Sequence, residues 1–195
     1  VTPNVKIDGI NVSFKFANNQ FAVDRGSLKE IDVTGITFDR IGERFPEGHG
    51  MRPAITTLLN ILNQSLADIK GEIKSLGLID NSHYFLNTEY VEGTTNAVGY
   101  EEDFIAIHGV NAFYAKYKKP TKAMLKKDPN MKPILLRPGL PGGGPGAKST
   151  EVSYSQTAMN SLISKLKKHA AARGFDVYGP VPTTVKQDVS IDYSQ

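Results

Sequence analysis

Lys6 stands two residues before an Asp8-Gly9 pair. A lysine amine attacks an electrophile only when neutral. A desolvating pocket or neighbouring cations bring it to that state. Asp-Gly between alternating apolar residues is also a strong hairpin signal, so a tight turn after Lys6 would end a strand and aim the amine into a cleft. Arg25-Gly26 follows the next strand pattern. A planar guanidinium at a strand end suits a phosphate or a ribose, although a solvated surface charge accounts for it equally well. The third group is Glu89, within Phe85-Leu86-Asn87-Thr88-Glu89-Tyr90-Val91. A carboxylate on a half-buried apolar strand needs a partner, because an unpaired buried charge is costly.

The elements that must position these groups can be read from apolar spacing. Val5 and Ile7 alternate, then Ile10, Val12, Phe14 and Phe16, then Phe21 and Val23. This predicts strands over residues 4–24, with turns at Asp8-Gly9 and Asn18-Asn19. Ile31, Val33, Ile36 and Phe38 continue the β character less regularly, and residues 42–50 read as a loop. Pro53 opens a helix in which Ile55, Leu58, Leu59, Leu62, Leu66, Ile69, Ile73 and Leu76 recur every three or four residues, closed by Gly77. Its other face, with Asn60, Asn63, Asp68, Lys70 and Lys74, is expected to be solvated. Residues 83–91 and 103–110 read as strands, and the lysine-rich stretch 116–132 as a short helix ending at Pro129. A Gly/Pro loop covers 137–147. A second helix runs from Ser155 to Arg173, with Met159, Leu162, Ile163 and Leu166 inward and Gly174 as its stop. Phe175 to Tyr178 reads as a short strand. Meandering strands with two separated helices predict an α+β fold.

A chain of 195 residues has room for one large domain with a core. Its hydrophobic fraction of 39% excludes the disordered class. A net charge of +3, from 23 basic and 20 acidic residues, allows nucleic acid as a partner without announcing it. Zero cysteines exclude a disulfide framework and thiolate metal sites, which agrees with a cytoplasmic, reducing location. No apolar run is long enough to span a membrane, so no membrane partner is expected. The first residues lead straight into a strand pattern, so no signal peptide is expected either. A nucleophile at position six, with no initiating Met, fits a piece of a longer chain.

Taken in order, the three segments resemble the first half of the covalent nucleotidyltransferases. That superfamily contains the ATP-dependent RNA and DNA ligases and the mRNA capping enzymes. Lys6-x-Asp8-Gly9 is similar to its first motif, Arg25-Gly26 to the pair that follows, and the Glu89 strand to its third motif. Asn96, Val98 and Tyr100, with the strand Phe104 to Ile107, look most like bacteriophage-type RNA ligases. The resemblance covers about residues 4–112. It implies a two-sheet α+β fold, here incomplete at both ends, with the nucleotide between the sheets. Lys6 would be adenylylated by ATP with Mg²⁺, and AMP would pass to a 5′-phosphate nucleic-acid end, RNA rather than DNA. Asp8, Gly9, Arg25, Gly26 and Glu89 would hold the nucleotide, and Glu89 a metal-bound water. Ile107 is assigned to the base pocket, with Phe104 and His108 the other candidates on that strand. The implied organisation is a nucleotidyltransferase core over 1–136, a Gly/Pro loop over 137–150 and a helix-strand extension of the same domain over 151–195.

Two later elements of that superfamily lack a clear match, a metal-binding Glu-Gly strand and a terminal Lys-x-Lys. Glu92-Gly93 lies too close to Glu89, Lys116-Tyr117-Lys118 falls early, and Lys165-Leu166-Lys167 sits on a helix whose solvated face explains it. A non-catalytic module that keeps the fold is therefore the alternative. Gly142 to Thr150 resembles a phosphate-binding loop, but Pro145 removes an amide and no helix starts at Lys148, so a P-loop nucleotidase is the weaker rival. His49, His83, His108 and His169 show no metal-ligand spacing and are expected to be structural or at the surface.

Overall fold

A computed structural model of the chain describes residues 9–24, 35–92, 103–112, 116–136 and 150–182. Strands β1 (Ile10–Ala17) and β2 (Gln20–Asp24) form a hairpin closed by Asn18 and Asn19, with φ of 53° and 60°. Two positive φ values in a two-residue loop match the twist of the flanking strands, and asparagine tolerates that conformation. Ile36 makes only an isolated bridge to Val23. A 3-10 turn at Phe38–Arg40 and a short helix α1 (Ile41–Arg44) follow, where sequence spacing suggested strand and then loop. Local polar bonds account for the difference. The Thr37 hydroxyl donates to Asp39 at 2.6 Å, and Arg40 pairs with Glu43 at 2.8 Å, while Ile41 and Phe45 are buried.

The long helix read from sequence is two helices, α2 (Arg52–Gln64) and α3 (Leu66–Ser75). They part at Ser65, which is fully buried and whose hydroxyl donates back to the Ile61 carbonyl. Such back-bonding bends helices. Strands β3 (Tyr84–Val91) and β4 (Asp103–Ala112) come next, then β5 (Lys116–Lys118), α4 (Lys122–Lys127), β6 (Ile134–Leu136), β7 (Thr150–Val152), α5 (Gln156–Ala171) and β8 (Phe175–Tyr178). Ser155 caps α5 by accepting from Ala158 N at 3.2 Å.

The main sheet has the order β2-β1-β3-β4-β7, with β8 also on β4. All pairings are antiparallel except β4 with β8. The outer side of β4 is therefore shared: residues 103–106 pair with β8 and residues 110–112 with β7. Strands β5 and β6 pair with each other in a separate two-stranded sheet. The architecture is α+β, and the elements after residue 150 join the same sheet and core as those before it.

One apolar cluster fills the space between the sheet and the helices. Val12, Phe14, Leu86, Ile105, Ile107 and Val110 meet Leu58, Leu59, Leu62, Met159, Leu162 and Leu166 there. Each Leu-sized side chain so buried contributes roughly 1.5–3 kcal/mol. Polar contacts then fix the registry. Asn63 is not on a solvated face: its Oδ1 accepts from Phe21 N at 2.8 Å, on the outer side of β2. Lys165 likewise belongs to a seam, donating to Glu72 Oε1 at 2.7 Å and to the Asp68 carbonyl at 2.9 Å. The Glu72 carboxylate raises the Lys165 pKa above its ordinary value. Among the described residues no helix is long and apolar enough to cross a membrane.

Candidate functional site

Because side chains alternate across a strand, the sheet face away from the helices carries Asn11, Ser13 and Lys15 from β1, Asp24 from β2, and Asn87 and Glu89 from β3. Register sets Asn11 opposite Glu89, Ser13 opposite Asn87, and Glu89 opposite Ala106 of β4. Asn11 Nδ2 donates to Asn87 Oδ1 at 3.2 Å. On the other side of the sheet the Thr88 hydroxyl donates to the Val12 carbonyl at 2.8 Å, which ties β1 to β3 just beside Glu89.

Gly9 enters β1 directly against Glu89. A Cβ at position 9 would sit 2.8 Å from Glu89 Cγ, 2.8 Å from the Tyr90 carbonyl oxygen and 2.9 Å from Glu89 Oε2. Only a residue with no side chain lets the two backbones come this close. Gly9 and Glu89, 80 positions apart in sequence, thus meet at one end of the sheet.

Glu89 is 3% exposed and its Oε1 lies 3.2 Å from His108 Nε2. His108 reaches it through a β-bulge. Asn87 pairs with Gly109 and Thr88 with Ile107, so His108 is the extra residue on β4. A bulge re-aims a side chain locally. The other ring nitrogen, Nδ1, lies 2.9 Å from the Val181 carbonyl. A carbonyl only accepts, so Nδ1 carries a proton. The ring thus bridges the Val181 carbonyl and the Glu89 carboxylate. Val181 is itself pinned, since its N donates to the Ile107 carbonyl at 2.9 Å. That bond crosses the gap between β8 and β7. The approach requires Gly179, where a Cβ would lie 2.6 Å from the Ile107 oxygen.

The fork between β7 and β8 opens a pocket of about 440 Å³ bordered by His108, Asn111, Glu151, Tyr154, Pro180 and Val181. Tyr154 stands over Gly109, and burial, with Glu151 nearby, raises its hydroxyl pKa above the ordinary range. His108 thus borders the pocket while its ring faces the Glu89 carboxylate.

A search of family models, of curated proteins and of solved structures gives no match to this chain. The site has to be read from its own residues.

Of the residues singled out in sequence, Gly9 and Glu89 are brought together. Lys6, Asp8, Arg25 and Gly26 lie outside the described residues, as do Asn96, Val98, Tyr100 and most of the Gly142–Thr150 stretch. Ile107 is not part of the Glu89 face. Its side chain is 1% exposed in the core cluster on the helix side, so it does not line a base pocket beside Glu89. The face that Ile107 misses is occupied by Phe104, Ala106 and His108. Glu92 is exposed just past the end of β3, and Lys118 is exposed at the end of β5.

Sequence reasoning treated His108 as structural or surface by default, or as one candidate for a base pocket, and did not foresee its bond to Glu89. The available signal was His108-Gly109 interrupting an otherwise apolar run, since glycine inside a strand marks a bulge. It also passed over Lys15 and Asp24, which are 8% and 7% exposed on the same face. Among the described residues no group of three His, Asp or Glu side chains could cage a metal. Glu89 alone suits the habit of Mg²⁺, which uses one or two carboxylates and takes its remaining ligands from substrate phosphates and water.

Proposed function

We propose that this chain carries the catalytic part of an ATP-dependent polynucleotide ligase with a nucleotidyltransferase fold, acting on RNA in preference to DNA. The observation that supports this reading is the contact of Gly9 with Glu89. Gly9 is the last residue of the Lys6-x-Asp8-Gly9 motif in sequence, and it packs against the strand that carries Glu89.

In this reading the neutral Lys6 Nζ attacks the α-phosphorus of ATP. A nitrogen–phosphorus bond forms, the oxygen bridge to the β-phosphate breaks, pyrophosphate leaves and the amine loses its proton. A nucleic-acid 5′-phosphate then displaces the lysine, and a 3′-hydroxyl displaces AMP. Mg²⁺, when bound, would neutralise the triphosphate charge, with Glu89 holding one of its waters. The chain's own contribution is orientation and charge placement. His108 fixes the rotamer of Glu89, and Gly9 leaves room for the backbone beside that carboxylate.

One observation favours the second reading, a non-catalytic module. The Glu89 carboxylate already has a buried partner in His108 and could serve packing alone. Mass spectrometry after incubation with ATP and Mg²⁺ separates the two. A mass increase of one AMP, lost in Lys6→Arg, is expected, because a guanidinium does not become a neutral nucleophile. Nucleotide binding without an adduct would support the module. An adduct on Lys116 or Lys148 would refute the assignment to Lys6.

A further inference from the structure

Strand β5, helix α4 and strand β6 form an excursion outside the main sheet. Residues 116–136 hold seven lysines and one acidic residue, Asp128, for a net charge of +6. The whole chain carries +3, so all its other residues together are net −3. A mildly basic composition therefore hides a strong separation of charge.

Lys118, Lys119, Lys122, Lys126, Lys127 and Lys132 are all exposed. Among the described residues none of the six forms a salt bridge. On α5, by contrast, Lys165 pairs with Glu72 and Lys167 with Asp176. Lys122 and Lys126 stand one turn apart on α4, about 6 Å along its axis. The helix is anchored by Thr121, whose hydroxyl accepts from Met124 N at 3.2 Å.

We propose that this lysine surface docks the phosphate backbone of a nucleic acid without reading its bases. Lysine ammoniums are flexible point charges, suited to a repeating polyanion and carrying no sequence information. A lipid surface fits less well. Helix α4 has six residues, and only Met124 and Leu125 among them are large and apolar, too little to bury a face at a bilayer boundary. The inference deepens the ligase reading by giving it a grip on its polynucleotide. Its test needs neither ATP nor the adduct, so the two can fail separately.

The probe is a short fluorescein-labelled RNA titrated across a salt series, followed by anisotropy. Two charge-matched variants are compared. Lys122→Gln, Lys126→Gln and Lys127→Gln together should weaken binding about tenfold and lower the log–log salt slope by about 2. Lys70→Gln, Lys74→Gln and Lys168→Gln, on α3 and α5, should change affinity by less than about twofold despite the same loss of charge. Gln keeps helix propensity, so both should melt close to wild type. Lys119→Gln with Lys132→Gln probes the same segment outside the helix, should the first variant lose its fold. Equal weakening by both triples would reduce the effect to net charge and overturn the proposal. So would undetectable wild-type binding, or lost binding to phosphatidylserine vesicles with RNA binding unchanged.

Discussion

The two faces of strands β3 and β4 are equally buried and differ in kind. Ile105, on the helix side, is 5% exposed, and Glu89, on the other, is 3%. Burial therefore does not tell them apart. The helix side is held by non-directional apolar contact, which accepts changes that conserve volume. The Glu89 side adds to a small apolar cluster of Val91, Phe104 and Ala106 the hydrogen bonds that run from Glu89 to His108 to Val181, each needing its partner at a set distance. Cutting such a chain leaves a buried polar group unsatisfied. One face sets stability, and the other trades stability for placement.

Substitutions on each face can break or sharpen that contrast. The largest stability effect is expected from Phe14→Ala, at 1% exposure on the apolar side. Unfolding free energy should fall by roughly 3–5 kcal/mol, read from urea titration. AMP adduct per folded molecule should stay constant. A parallel loss of adduct at low temperature, where the variant is folded, would couple the faces after all.

Glu89→Ala should cost about 1–3 kcal/mol, because His108 Nε2 loses its partner inside the protein. Glu89→Gln should recover most of that, since an amide can still bond the ring. Adduct formation by this variant should nevertheless drop about 100-fold. If Glu89→Gln destabilises as much as Ala and leaves nucleotide affinity alone, the carboxylate is a structural ion-pair member. The contrast between faces would then reduce to one of polarity.

Tyr90→Phe should cost about 1 kcal/mol through loss of the bond its hydroxyl donates to Asp103 at 3.1 Å. Burial first, and the Asp103 charge second, hold the Tyr90 hydroxyl pKa above its ordinary 10.0. The folded chain thus keeps this proton more tightly than the unfolded chain. The associated stability is complete below pH 10.0 and is lost as pH rises past it. Urea midpoints across the alkaline range should fall less steeply for Tyr90→Phe than for wild type. Parallel curves would mean that Tyr90 does not contribute to the alkaline limb. The smallest effect, about 0.5–1.5 kcal/mol, is expected for Asn63→Ala, which removes the acceptor of Phe21 N.

Much of the fold could be read because its signals are local. Alternation marked β1 through β4, Asn18-Asn19 marked the hairpin, and Ser155 with Gly174 bounded α5 within a few residues. What escaped depended on partners distant in sequence. Ser65 parts the helices through the bond of its buried hydroxyl to the Ile61 carbonyl, which no periodicity announces. Asn63 has its role from a strand amide 42 positions away. At the site, Gly9 and Glu89 were legible as types that need neighbours, and register supplied them. His108 was not, because its partner lies 19 positions away and comes beside it only when β3 and β4 pair.

The bonds along the outer side of β2 have a bearing on self-association. A sheet edge with free amides is a template on which a second copy can add a strand, and from there an ordered aggregate can grow. On β2 the amide of Phe21 is taken by a helix side chain, and both main-chain groups of Val23 are taken by Ile36. A neighbouring molecule arriving at that edge finds its docking groups already engaged. The far side of the sheet ends, among the described strands, in β7, only three residues long. Release of Asn63 would therefore matter less for how firmly one molecule holds together than for how many molecules can line up at high concentration.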